Sequence, residues 1–311
     1  MKRTILAATA LLLIVSAVAS ADPVKLRYKY SEGDTYVYSM SATGKGDMGM
    51  TFSGMGGDPD AEAYKEMPLQ MELAMALETN VKDIRDDGLA VIESLISRYS
   101  VSQAGETVVD YNPAAGKKEG CPTELEELFM QPIEMKVDPQ GGVSDISGLE
   151  KLRQIAPQFD MGRLVSQMQQ PWPEKALDVG DKWTQELPFL SNPDAGKTDA
   201  PLNHLECVDY EEGKGLNCAK ITTRFSGDLS GMMEGMLSGM PMQGAEMKVQ
   251  MMFMTMDGEI YFAPEEGILV GMEFTMSQQM HMSAQVPPQQ GGPGSVEMKM
   301  NMEMDGVYEL E

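Results

Sequence analysis

The sequence predicts an α+β protein that is mostly antiparallel β. It should form long curved sheets or half-barrels, with a short helical insert around residues 122–170. Three observations carry this. Long stretches alternate apolar and polar residues with period two. Short clusters of Gly, Asp and Pro separate them. Helix start and stop signals are confined to the middle of the chain.

The elements follow in order. "VKLRYKY" puts Val24, Leu26, Tyr28 and Tyr30 on one face, "SEGD" turns the chain, and "TYVYSMS" continues. Residues 43–66 are rich in Gly and Asp and read as a flexible loop. "MPLQMELAMAL" then aligns Met67, Leu69, Met71, Leu73, Met75 and Leu77. Its Gln, Met, Glu, Leu and Ala favour helix, but six matches to strict alternation favour strand. "RDDG" and "AGE" turn the chain between further strands.

The middle differs. "CPTELEELFM" reads as a short helix opened by Pro122. "IEMKVDPQGGVSDIS" is a hairpin around Asp-Pro-Gln-Gly. "SGLEKLRQIA", with Ser147 and Glu150 at capping-box spacing, and "DMGRLVSQMQQ" read as helices. Five long strands follow from "HLECVDY" to the closing "SVEMKMNMEMDGVYEL". In "APEEG", Gly267 takes the position that needs positive φ. In "EMKVQMMFMTM" methionine occurs at both parities, so that strand is covered on both sides or bulged near Met251–Met252. "LDVGDKWTQELPF" echoes "YSEGDTYVYSMSA", which suggests an internal duplication.

The first residues read as an address. Lys2 and Arg3 precede an apolar run, and "ASA" at 19–21 forms a cleavage site after Ala21. The run is short for a membrane span, no cysteine follows it for acylation, and no later segment has transmembrane length. The expected organisation is a signal peptide at 1–21, an N-terminal β-rich half at 22–145, a helical segment at 146–172 and a Met-rich β half at 173–311. The mature chain is expected to be soluble and exported, periplasmic or extracellular. Losing Lys2 and Arg3 takes its formal charge from −24 to −26. Such a chain repels nucleic acid and anionic headgroups.

Export permits disulfides. Of Cys121, Cys207 and Cys218, the pair Cys207–Cys218 flanks a short polar turn and is the expected bridge. A hairpin centred near Glu212–Gly213 would bring the two opposite each other. Their spacing is not that of a zinc motif.

"VDPQGGVSDISGLEKL", "PWPEKALDVGDKW", "LNCAKI" and "GEIYFAPEEGILVGMEF" resemble a pattern in exported bacterial proteins of an uncharacterised family. The pattern covers most of the mature chain and is made of structural punctuation. It is similar in style to half-barrel proteins that carry lipids or lipoproteins across the periplasm. The resemblance implies a curved antiparallel sheet over helices, and export. It transfers no catalytic residue, and the methionine enrichment departs from it.

Catalytic motifs find little support. His204 and His281 lie in no HExxH-like arrangement, and no GxSxG, P-loop or GxGxxG occurs. Cys121 precedes a helix start but has no local partner of the Cys/His kind. "DPDAE" lacks full calcium-loop spacing. No cofactor is implied, and the chain does not read as an enzyme.

Methionine is the unusual feature. The chain has 30, and 18 fall at or after Met232. Met298, Met300, Met302 and Met304 share one face of the closing strand. Met272, Phe274, Met276, Met280 and Met282 share a face of the strand before it. Three readings compete. In the first, methionine simply replaces Leu or Val in a close-packed core. These nine residues could instead line a pliable site for a hydrophobic small molecule or lipid. Or thioethers could bind Cu(I) or Ag(I), best in the loop carrying Met232, Met233, Met236, Met240 and Met242. The functional reading supported best is a non-enzymatic envelope protein with a hydrophobic ligand. A soft-metal binder and a structural or interaction module are the alternatives.

Overall fold

The computed structural model describes residues 23–53, 62–150, 169–187, 201–231, 233–234, 246–285 and 295–311. The expected signal peptide, residues 151–168 of the expected helical stretch, and Met232, Met236, Met240 and Met242 lie outside the described residues.

All the described strands join one antiparallel sheet. A first meander comprises β1 (Thr35–Ser53), β2 (Glu62–Ile84), β3 (Ala90–Gln103), β4 (Glu106–Asn112) and β5 (Lys117–Glu119). Helix α1 (Thr123–Phe129) and the hairpin β6 (Ile133–Val137) and β7 (Val143–Ser147) follow. A second meander comprises β8 (Lys182–Glu186), β9 (Leu202–Gly213), β10 (Leu216–Asp228), β11 (Glu246–Ala263), β12 (Ile268–Gln285) and β13 (Ser295–Leu310). The order across the sheet is β5-β4-β3-β2-β1-β13-β12-β11-β10-β9-β8, with β6 and β7 attached through β3. β1 and β13 pair from Tyr38↔Leu310 to Ser53↔Ser295, so both β-rich stretches share the sheet.

The expected α+β class with a helical insert is overturned: the protein is nearly all antiparallel β in a single open sheet. The short helix opened by Pro122 does form, but α1 has only seven residues. It makes no layer of its own. Phe129 at its end packs on the rings of Tyr99 and Tyr111, at 5.1 and 5.0 Å between centroids. Residues 133–147 then return to the sheet as β6 and β7.

Alternation outweighs propensity in β2, which runs as a strand of 23 residues. Pro68 lies beyond the last β2–β3 pair, Met71↔Gln103, at an edge-like position that tolerates proline. The Asp138 turn is a side-chain-closed hairpin: Asp138 Oδ1 accepts from the N–H groups of Gln140 (2.7 Å) and Gly142 (2.9 Å). Gly267 has φ +72, as its turn requires, and a Cβ there would lie 2.5 Å from Lys29.

The N-terminal alternation is real, but the segment is not a sheet strand. Val24 makes one bridge, to Leu177. The Tyr28 N–H donates to Pro139 O (2.8 Å) and the Lys29 N–H to Gly267 O (3.0 Å). The segment is thereby strapped over one sheet face, with Leu26 and Tyr28 buried.

The Gly-Asp echo marks one local structure made twice. Gly33 and Gly180 have φ +86 and +93. The Gly33 N–H donates to Val81 O, and the Val81 N–H donates back to Asp34 O. The Gly180 N–H donates to Cys207 O, and the Cys207 N–H donates back to Asp181 O. A register shift follows each clasp, between Val81 and Asp83 in β2 and between Cys207 and Asp209 in β9. Each half also buries a polar cross-strand pair, Thr79–Ser94 at 3.0 Å and Thr223–Asn203 at 2.7 Å.

Candidate functional site

Residues directly opposite on antiparallel strands share a face. One face of this sheet therefore runs from Trp183 in β8 through Leu205, Thr223, Gly258, Phe274 and Gly306 to Ala42 in β1. This row divides the face into two ends.

One end is closed. Leu26, Tyr28, Trp172 and Leu177 lie on Leu205, Cys207, Ile221, Ile260 and Phe262 in one buried cluster. Tyr28 and Trp172 meet Phe262 at steep ring angles, 5.3 and 4.9 Å between centroids. Tyr38 stacks on Tyr308 at 5.0 Å and Tyr28 on Tyr30 at 5.6 Å. The Tyr28 hydroxyl donates to Gln170 O and that of Tyr38 to Leu269 O. Burial and then the Asp34 carboxylate push Tyr36 up to about 12. Burial pushes Tyr28, Tyr30, Tyr38 and Tyr308 further up.

The other end is lined with methionine. Met67, Met48, Met300, Met280 and Met252 stand directly opposite one another along five neighbouring strands, β2-β1-β13-β12-β11. Met50, Met298 and Met282 form the next row, and Met304, Met276 and Met256 a third. Most of these side chains are half-buried, with Met252 and Met282 buried. Leu229 and Met233 pack with the β11–β13 part of the patch. No buried cluster among the described residues includes β1 beyond Tyr36 or β2 before Val81.

The nine residues read from the sequence divide. Met276, Met280, Met282, Met298, Met300, Met302 and Met304 lie in the patch. Met272 packs instead against the closed-end cluster. Phe274 covers Gly306, where a Cβ would sit 2.2 Å from its Cζ. Sequence reasoning did not join to them the methionines of β1, β2 and β11. The alternation in "MPLQMELAMAL" carried part of that signal. Of the two readings of the mixed-parity methionines in β11, covered on both sides or bulged near Met251–Met252, a bulge is present, between Val249 and Met251. It returns Met252, Met254 and Met256 to the methionine face and leaves Met251 and Phe253 exposed on the other, at 41% and 39%. Of the loop candidates for a metal, Met233 is described, and it belongs to this packing. His281 stands on the opposite face, 3.8 Å from Glu297.

A cavity of about 1150 Å³ is lined by seven strands from β8 to β1, and its exposed side chains are those of the polar face. They include Lys182, His204, Arg224, Asp257, Glu273 and Asp305, with Arg224 paired to Asp257 at 2.5 Å. Phe274 alone of the nine candidates lines it.

The expected Cys207–Cys218 disulfide is not formed; both thiols are free and fully buried. The register explains this. The hairpin turns at Lys214–Gly215, both with positive φ, and the β9 bulge then sets Cys207 opposite Ile221 and Cys218 opposite Glu211. The two therefore face opposite sides of the sheet and belong to different clusters. Burial pushes the Cys121 thiol up, so the helix start does not activate it. Among the described residues no group of three or more His, Cys, Asp or Glu is placed to hold a metal ion. No described helix is long and apolar enough to cross a membrane.

No known protein family and no curated protein matches the chain. Among solved structures it is similar to lipovitellin, studied for its lipid–protein interactions, at 11% identity and TM-score 0.45 over 91% of this chain. It spans about a quarter of the length of that protein, 25%. It is also similar to the outer membrane protein OprG of Pseudomonas aeruginosa, at 9% identity and TM-score 0.22, covering 91% of this chain and 97% of that one. An outer membrane channel of Pseudomonas putida F1 follows at 7% identity and TM-score 0.21, covering 92% and 99%. Similarities this distant carry no argument about function.

Proposed function

We propose that this chain is an exported, non-enzymatic binding protein of the cell envelope that holds a hydrophobic, lipid-like ligand on its methionine face. One observation carries the reading. A single sheet face is covered at its aromatic end, while at its other end rows of half-buried methionines cross five strands. Methionine is unbranched and polarizable, so such a surface adapts to ligands of varied shape. The strongly acidic composition keeps a protein with this patch in solution.

Native mass spectrometry of the protein purified from its own envelope tests this. A co-purified apolar mass is expected. Met302→Glu and Met304→Glu should each weaken binding of an apolar fluorophore about tenfold, because a carboxylate on the surface resists desolvation. Absence of both bound mass and fluorophore binding in the wild type would sink the proposal.

A further inference from the structure

The register of the methionines carries a second inference, independent of any apolar ligand. We propose that Met48, Met300 and Met280 form a thioether site for a soft monovalent cation, Cu(I) or Ag(I). Met300 of β13 stands directly between Met48 of β1 and Met280 of β12. Directly opposite Cβ atoms lie roughly 4.5–5.5 Å apart. Each sulfur is two bonds beyond its Cβ, so Met300 and a directly opposite neighbour can hold one ion between two thioethers at metal–sulfur distances of about 2.3 Å, with Met48 and Met280 as its two possible partners. Lateral reach of this kind is already present one row away. Met302 of β13 leans across β1, its Sδ 3.6 Å from where a Cβ of Gly44 would stand.

The choice of residue points the same way. Val, Ile and aromatic residues suit strands better than methionine does, and the closed end of these strands uses them: Ile260, Phe262, Tyr38 and Tyr308. What methionine adds over Leu is a soft donor atom and a flexible stem. A thioether has no proton to lose and forms no disulfide, so its donor capacity depends neither on pH nor on disulfide exchange. A chain of formal charge −24 attracts cations. The site lies in the sheet, not in the methionine-rich loop, and His281 faces away from it.

The test is anaerobic Cu(I) titration of the full chain against a chromogenic chelator. A Cys121→Ser background removes the one thiol that is not buried. One ion per chain is expected, with sulfur-only coordination by X-ray absorption. Affinity should be flat from about pH 5 to 8, where a histidine site would titrate. Met300→Leu, which conserves volume, should weaken binding at least tenfold with unchanged circular dichroism and melting temperature. Met130→Leu, at an exposed position off the sheet, should not. Either of two results overturns the site: no Cu(I) uptake, or uptake unchanged in the triple Met48→Leu, Met280→Leu, Met300→Leu variant.

Discussion

The aromatic and methionine ends of one sheet face are built on the same strands, yet they are packed differently. β11 carries Ile260 and Phe262 at one end and Met252, Met254 and Met256 at the other. β13 carries Tyr308 and then Met298–Met304, and β1 carries Tyr38 and then Met48 and Met50. At the aromatic end the N-terminal segment and Trp172 lie on the face, and rings with few rotamers interlock. At the methionine end the face is half-buried and its side chains are the most adaptable apolar ones. The difference teaches that rigidity and adaptability need not be assigned to separate domains. A long strand can hold both, one end fixing the sheet while the other keeps a pliable surface.

The largest break in the comparison should come from alkali, because it acts on several buried rings at once. An unfolded tyrosine ionises near its ordinary value of 10.0, whereas Tyr36 holds its proton to about 12 and Tyr28, Tyr30, Tyr38 and Tyr308 hold theirs longer. Above pH 10 the unfolded chain therefore binds fewer protons than the folded one. Stability is present in full below that pH and falls as pH rises through the folded values. Melting temperature should drop steeply between about pH 10 and 12, with tyrosinate absorbance appearing cooperatively on unfolding. Gradual ionisation without loss of structure would mean the aromatic end is open to solvent.

Single truncations should rank the two ends. Phe262→Ala removes a fully buried ring and should cost about 3–5 kcal/mol in urea unfolding. Met276→Ala, on a half-buried position of the neighbouring strand, should cost about 1 kcal/mol. Equal losses would erase the distinction between a fully buried and a half-buried end.

Two glycines set the texture of the methionine end. A Cβ at Gly46 would lie 2.0 Å from Asn301 O, so Gly46→Ala must push β13 away and should cost at least about 1–3 kcal/mol. At Gly44 the nearest atoms would be 3.6–3.8 Å away, which is ordinary contact, and its φ is not positive. Gly44→Ala should therefore stabilise by about 0.4–1 kcal/mol through the unfolded chain. Thermal melts of the two variants should move in opposite directions.

Much of this was legible in the sequence, and what was not has a common cause. Local alternation located β11 and β12, the turn at Gly267, and the methionine faces of β12 and β13, because side-chain parity is a local property. It could not say that "VKLRYKY" lies over the sheet, since an extended segment alternates in the same way whether or not it has strand neighbours. The pairing of β1 with β13, which joins the two meanders, brings together residues more than two hundred positions apart, so the β1 and β2 methionines could not be placed beside Met300. Bulges defeated parity outright. One in β9 separates Cys207 from Cys218, and another between Tyr261 and Phe262 puts Val270 in the Cys218 cluster, not beside Met272. Capping signals overstate the helical insert, because they show where a helix can start, not how much of the fold it builds.

The smallest effect is the most discriminating. Met276 and Met304 stand directly opposite each other, outside the row assigned to a soft cation. Changing both to Leu conserves volume and apolarity. Leu also loses less side-chain freedom on ordering, roughly 0.5–1 kcal/mol against 1.5–2 for methionine. If the methionine end were an ordinary core, the double variant should gain stability and bind apolar probes no differently. If the face is kept adaptable for a ligand, stability should stay level or rise by a few tenths of a kcal/mol. Affinity for bulky or irregular probes should fall severalfold while a slender probe is unaffected. Probe selectivity, measured beside the melting curve, therefore separates a surface chosen for packing from one chosen for accommodation.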